Sequence, residues 1–367
     1  MSDCTSPQHT ILAPESYFDA EIFRQEQRRI FGHAWLHVCH ATQIPNSGDY
    51  LTCTAGDQNI IVMRGHDAQI RAFYNACQHR GTELLQGSGC RLAIVCPYHG
   101  WTYHTDGSLK FARGSEFVPG FAAEKLSLPR LALEMIAGFV FVNLDPHCES
   151  LSQTYQGFEQ ELRSYEPRLD ELVHVRSTTF DLAVNWKLAV ENYLEAYHLL
   201  TVHPSLRNSC RNDEWILTNH ERHMSMFGSA GPGAEVGFFD EAEKRAQTNW
   251  WLWPMVMFEQ MPGTNQVFTY NHIALGPERT LQVVDFYFLS DTLTTEQRAS
   301  IDYVEQVVRI EDKASIEAWQ RGLHSRGWRA GPLMMGPDMP EELTEKSVFH
   351  FQTLVKNELA AMPSAQE

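Results

Sequence analysis

"NACQHRGTELLQGSGCRLAIVCPYHGWTY", residues 75–103, places one Cys/His pair, Cys77 and His79, and a second, Cys96 and His99, on either side of sixteen residues. Each pair is short enough for one loop to aim two ligands at one site. Two sulfurs with two nitrogens suit either zinc or an iron–sulfur centre, and spacing alone leaves both open. A 2Fe-2S cluster can take two thiolates on one iron and two imidazoles on the other. One ligand of each kind per pair fits loops that straddle such a cluster. Gly81 and Gly100, just behind the histidines, permit the tight turns this needs.

The texture around these pairs is β-rich. "NIIVMRGHDAQIRAFYNAC" reads as two strands about a Gly-His-Asp turn, "WTYHTDGSLKF" as two more about Asp106-Gly107, and "GFVFVNLDP" as a closing strand. Upstream, Phe18 to Phe31 has the apolar spacing of an amphipathic helix. Downstream, "CESLSQTYQGFEQELRSYEPRLDEL" is a polar connection into a helix, which puts a boundary near residue 150. Beyond it come a strong helix in "NWKLAVENYLEAYHLLTVH", strands from Trp250 to Leu289, and a long helix in "SIDYVEQVVRIEDKASIEAWQRGL". Strands and helices in separate runs argue for an α+β protein. The Gly-rich "GPGAEVG" at 231–237 lacks the strand–turn–helix setting of a nucleotide fingerprint and reads as loop.

Composition excludes several classes. Lys+Arg 29 against Asp+Glu 46 leaves a net charge of −17, which repels nucleic acid and anionic membranes. No run of eighteen apolar residues occurs, nor a basic then apolar leader, so a cytoplasmic protein is expected. Eight cysteines in 367 residues are too sparse for a disulfide framework.

"NACQHRG" with "CPYHGWTY" resembles the Rieske 2Fe-2S signature, including the flanking Arg80-Gly81 and Gly100-Trp101. A Rieske carrier alone would need only the β block, and more than half the chain follows it. In "ENYLEAYHLLTVHP" the residues Leu188, Glu191, Glu195, His198 and Val202 fall on one helical stripe, so Glu195 and His198 are expected one turn apart. His203 lies about 140° from His198 on a regular helix. Pro204 pushes His203 out of the α region, so the helix is expected to end or widen there and let the ring turn back. On the late helix, Val304, Val308, Asp312, Ser315 and Trp319 share a face, and a carboxylate on a mostly inward stripe is costly unless partnered. Two histidines and one carboxylate make the facial triad of a non-haem Fe(II) site.

With these residues the resemblance extends over nearly the whole chain, to the α subunits of the Rieske non-haem iron oxygenases. It implies a small antiparallel β Rieske domain at 34–150 and a helix-on-antiparallel-sheet catalytic domain with mononuclear iron at 151–367. Residues 1–33 are then an N-terminal helical segment packing on the catalytic domain. It maps Cys77, His79, Cys96 and His99 onto the cluster and His198, His203 and Asp312 onto iron. It further implies a head-to-tail homotrimer in which Glu195 bridges to His99 of the partner subunit. Many relatives carry Asp at that bridging place. Dioxygen is the implied co-substrate. No ferredoxin pattern or dinucleotide fingerprint occurs, so electrons from NAD(P)H must come through a separate flavin/iron–sulfur reductase.

"ENYLEAYH", "WWLWP" at 250–254 and "SVFHFQTLVKNEL" are similar to the members that oxidise quaternary ammonium compounds such as carnitine, glycine betaine or proline betaine. A trimethylammonium head binds aromatic faces, which Tyr193, Tyr197 and the tryptophans near 250 are expected to supply. The alternative is an aromatic-ring or aromatic-acid oxygenase with a greasy pocket of Met255, Met257 and Phe258. Outside the enzymes stand a Rieske electron carrier, which predicts about one domain, and a zinc-stabilised binding protein, which predicts one metal per chain.

Overall fold

The computed structural model describes residues 11–166, 168–204, 215–228, 247–260 and 266–361; the Gly-rich stretch at 231–237 lies outside them. The fold is α+β, and the chain divides into two compact units. One runs from Phe31 to Thr154, the other from Tyr155 onward together with the N-terminal stretch up to Ile30.

The first unit is built of short antiparallel sheets. Strands β1 (Leu36–His40), β9 (Ala132–Ile136) and β10 (Phe139–Asn143) form one. Strands β2 (Asp49–Ala55), β3 (Gln58–Arg64), β4 (Ile70–Tyr74) and β5 (Ser88–Cys90) form a second, in the order β4-β3-β2-β5. Strands β6 (Ile94–Val95), β7 (Thr102–Tyr103) and β8 (Leu109–Phe111) form a third. Both expected hairpins are present. The β3–β4 pair closes at Arg64↔Ile70, and the β7–β8 turn runs through Gly107 at φ +87°. A Cβ on Gly107 would stand 2.5 Å from the Phe73 ring, so glycine is required there for space as well as conformation. The core of this unit joins Tyr50, Ile61, Met63, Phe73, Ile94 and Tyr103 to the two buried cysteines, Cys77 and Cys96.

The second unit centres on a seven-stranded antiparallel sheet. Its strands are β11 (Val173–Leu182), β12 (Ile216–Asn219), β13 (His223–Gly228), β14 (Gln247–Leu252), β15 (Val256–Gln260), β16 (Gln266–Gly276) and β17 (Arg279–Phe288), in the order β11-β17-β16-β15-β14-β13-β12. Its helices are α1 (Ala20–Glu26), α3 (Phe158–Tyr165), α4 (Trp186–Tyr193), α5 (Leu199–Val202), α6 (Thr295–Tyr303), α7 (Arg309–Leu323) and α8 (Lys346–Ala360), with α2 (Leu151–Thr154) lying in the first unit. Asp19 caps α1 through the amides of Glu21 and Ile22, and Thr294 with Gln297 makes a capping box on α6. A π-helical turn at Val304–Val308 links α6 to α7.

The late helix departs from expectation past Asp312. Val304, Val308 and Asp312 are buried as read, but the inward stripe continues through Ile316, Gln320 and Leu323, while Trp319 is 39% exposed. Steps of three and four residues both keep to one helical face over a turn, and packing of α7 against α4 and α5 selects between them.

The N-terminal helix is tied in by charge. Lys187 Nζ pairs with Glu26, both fully buried, and Trp186 Nε1 donates to the second Glu26 oxygen at 2.9 Å. Glu26→Ala leaves an ammonium uncompensated in the interior and should cost about 3–5 kcal/mol. Urea unfolding reads this directly; a midpoint unmoved relative to wild type would show the pair does not hold α1 in place.

Candidate metal centres

In the first unit each Cys/His pair sits on a loop of the same form. Gly81 N donates to Cys77 O at 2.8 Å and Gly100 N to Cys96 O at 3.1 Å, and both glycines have φ +74°. Cys77 N donates to Thr82 O at 2.9 Å and Cys96 N to Trp101 O at 2.7 Å. The glycine expectation therefore holds in both loops. The cysteines are buried and the histidines exposed, with His79 and His99 rings 4.8 Å apart and His79 stacked on Trp101. Tyr103 places its hydroxyl 3.3 Å from Cys77 Sγ. Burial pushes the Cys77 thiol up, so a bound metal must displace its proton.

These donors fit a dinuclear cluster better than one zinc. A tetrahedral zinc gathers all its ligand atoms within about 4 Å of one another. Among the described residues, no three of the Cys77, His79, Cys96 and His99 donors fall within 4.8 Å, whereas two other groups do. Two sulfurs inside and two imidazoles outside match a cluster with one thiolate-held and one imidazole-held iron.

In the second unit His198, His203 and Asp312 bring one donor atom each within 4.8 Å. The local route differs from the single helix expected. Helix α4 ends at Tyr193, the chain turns through 194–198, and only the short α5 follows. Glu195 and His198 still meet, because Glu195 Oε2 accepts from His198 N at 2.9 Å while Oε1 lies 2.6 Å from His198 Nδ1. The break replaces the helical stripe with a side-chain-capped turn. His203 ends α5 at φ −115°, ψ 75°, outside the α region as Pro204 requires.

His203 Nε2 stands 2.9 Å from Asp312 Oδ1 and His198 Nε2 stands 3.7 Å from the same oxygen. His203 is 1% exposed and Asp312 3%, and desolvation holds the His203 ring below the ordinary imidazole range, in the neutral form that ligates metal. Three residues escaped the sequence reading. Glu311 Oε2 lies 2.8 Å from His203 Nδ1, an outer partner that orients the ring and raises its basicity. Asn192 donates to Asp312 Oδ1 at 3.1 Å, and Arg309 pairs with Oδ2. Adjacency to Asp312 was the available signal for Glu311 and the three-residue helical spacing to Asp312 was the signal for Arg309, whereas Asn192 needed the packing of α4 on α7. Two imidazoles and a carboxylate on one side, all held by second partners, fit a mononuclear iron with open positions.

The group opens onto a cleft of about 450 Å³ lined by Tyr193, Trp215, Met226, Glu259, Tyr270 and Arg309, among others. Tyr193 Oη donates to Phe258 O at 3.0 Å, and its ring meets Tyr270 edge-on at 5.8 Å. Arg309 lies 4.4 Å over the Tyr270 ring. Burial pushes both tyrosine hydroxyls well up, so they stay neutral. Glu195 also lines a second cleft of about 780 Å³ with Glu191, Trp319, Trp328 and Val348.

The other aromatics expected at the substrate are elsewhere. Trp250 pairs in register with Phe258, and both face Phe158 of α3, while Asn249 and Glu259, one residue along, face the cleft. Parity along the strands turns Trp250 and Phe258 away. Trp251 and Trp253 pack on Phe351 of α8, and Tyr197 is 46% exposed. Met255, Met257 and Phe258, the greasy set of the aromatic alternative, are buried but do not line the cleft.

Residues 34–122 match the family model "Rieske [2Fe-2S] domain", and residues 169–361 match "Ring hydroxylating alpha subunit (catalytic domain)". The chain is 34% identical to the carnitine monooxygenase oxygenase subunit of Escherichia coli over 354 residues, covering 96% of this chain and 95% of that one. It is 39% identical to the glycine betaine monooxygenase oxygenase subunit of Chromohalobacter salexigens over 202 residues, 55% of this chain and 44% of the relative. A solved structure of a quaternary ammonium Rieske monooxygenase superposes with a TM-score of 0.89 at 34% identity, covering 94% of each chain.

Proposed function

Because the chain belongs to the Rieske-type ring-hydroxylating oxygenase α subunits, we propose that it is the terminal oxygenase of a multicomponent system acting on a quaternary ammonium, betaine-type substrate. Cys77, His79, Cys96 and His99 hold the Rieske cluster; His198, His203 and Asp312 hold the mononuclear iron. Together the two iron groups supply one-electron chemistry and the activation of dioxygen, with electrons delivered by a separate NAD(P)H-oxidising reductase.

One observation carries the substrate class: a buried carboxylate, Glu259, stands among aromatic residues in the cleft beside the iron ligands. A trimethylammonium head has no hydrogen to donate and is recognised by aromatic faces and a nearby negative charge. Tyr193, Tyr270 and Trp215 supply the faces and Glu259 the charge. Arg309, on the same cleft, gives the carboxylate of a zwitterion a planar cationic partner. An aromatic-ring substrate calls for neither charge and an aromatic acid only for the cation, and the apolar residues read for them lie off the cleft.

The protein groups divide the remaining work. Glu311 fixes the His203 ring, Asn192 and Arg309 fix the Asp312 carboxylate, and Glu195 fixes His198 while reaching the second cleft. On that outer side we read Glu195 as the residue that meets His99 of the partner subunit, in a head-to-tail homotrimer. The exposed His79 and His99, with Val95 and Phe111 in one exposed cross-strand row, suit a tip that docks on another chain.

The test is oxygen uptake by the purified oxygenase with a generic reductase, against carnitine, glycine betaine, proline betaine and aromatic acids. Uptake coupled to product with the betaines alone is expected. Glu259→Gln, which keeps shape and removes charge, should raise KM for the cationic substrate by about 10–100-fold, the cost of one charge-assisted contact. An unchanged KM removes Glu259 as the ammonium's partner, and coupled uptake with aromatic acids only would replace the substrate class.

A further inference from the structure

On the sheet face that carries Trp250, away from the iron ligands, a second set of metal-type donors converges. Helix α3 presents Glu161, the turn joining β12 to β13 presents His220, and the first residue of β13 is His223. One ligand atom from each lies within 4.8 Å of the others. His220 and His223 are stacked, ring centroids 4.0 Å apart and 5° from parallel, which brings two imidazole edges side by side. The turn that sets them is closed by His220 N donating to His223 O at 2.8 Å.

We infer that Glu161, His220 and His223 form a site for a divalent cation of the zinc class, separate from both iron centres. Bonds of about 2.0–2.2 Å put the donors of one tetrahedral ion about 3.4 Å apart. His220 Nε2 and Glu161 Oε1 are already at 3.3 Å. Trp250 Nε1 donates to Glu161 Oε2 at 3.2 Å, which orients the carboxylate and turns the other oxygen to the histidines.

The second observation is an orphaned nitrogen. His223 is 1% exposed, and among the described residues its Nε2 has no hydrogen-bond partner. A buried polar atom left unmatched is costly, and an ion in the group would satisfy it. Glu161 and His220 keep 28% and 31% side-chain exposure, so an ion enters from solvent and retains water as a fourth ligand. Two imidazoles with one carboxylate favour zinc-like ions over magnesium or calcium. The site clamps the β12–β13 turn onto α3. Strand β13 turns Met226 to the opposite face, into the cleft wall, so the clamp steadies that wall from outside.

Zinc sulfate titrated calorimetrically into the iron-loaded protein tests this. One zinc per chain is expected beyond the iron already present, with affinity lowered about 100-fold or more by His220→Ala and by Glu161→Gln, and retained in Asp312→Ala. His220 is a partly exposed turn residue, and a retained red-brown cluster and melting curve confirm the variant's fold. Equal zinc uptake by wild type and His220→Ala overturns the site. So does uptake abolished only by Asp312→Ala, since zinc would then be filling the iron position.

Discussion

Asp312→Ala should yield a folded, red-brown protein that retains two irons per chain in its cluster, lacks the mononuclear iron, and does not turn over. Alanine is the best helix former, so α7 is not disturbed by the substitution itself. What is lost is the oxygen on which the other donors converge: His203 at 2.9 Å, His198 at 3.7 Å and Asn192 at 3.1 Å. Removing a residue that merely orients a ligand typically costs about 10–100-fold in metal affinity or activity. Removing a ligand should exceed that, and a fall of about 10³-fold or more is expected. Iron analysis before and after desalting, with the spectrum of the reduced cluster as internal standard, separates the two centres. Full activity with three irons retained would show that the ligand assignment is wrong.

Glu195→Gln should keep all three irons and still stall the enzyme. Glutamine preserves the length of the side chain and an oxygen for His198 N, but removes the charge beside His198 Nδ1. If Glu195 serves only to orient His198, the variant loses mononuclear iron, while the cluster in reloaded protein reoxidises at the wild-type rate. If it carries the path between subunits, iron content is unchanged and reoxidation slows by about 100-fold, the upper end for an outer partner of a metal ligand. Stopped-flow reoxidation of the reduced cluster with substrate and dioxygen distinguishes the two. The second outcome is expected, because Glu195 lines both the iron cleft and the cleft beyond it.

Much of both centres was legible because their parts are close in the chain. A Cys-x-His or Cys-x-x-His loop with a following glycine has few ways to fold around two ligands, and Gly81 and Gly100 take the same φ of +74°. His203 before Pro204 left the helix for a reason written in two adjacent residues. Although the helix ends at Tyr193 instead of running on through residue 198, Glu195 stays with His198, since three residues of chain keep them within reach in a helix or a capped turn.

The sequence by itself therefore picked out the two Cys/His loops, the His198, His203 and Asp312 donors that the structure gathers, the hairpins beside the loops, and the α+β order. Tertiary structure alone decided which wall the substrate meets. Whether Glu259 or Phe258 faces the cleft turns on the side of the sheet a strand presents, and a strand buried on both faces carries no alternation to reveal it. The same holds for Glu311 on His203 and Arg309 over Tyr270, and for His223 beside Glu161. Local chain geometry limits what neighbours in sequence can do; contacts between distant elements depend on register and packing, which no short stretch encodes.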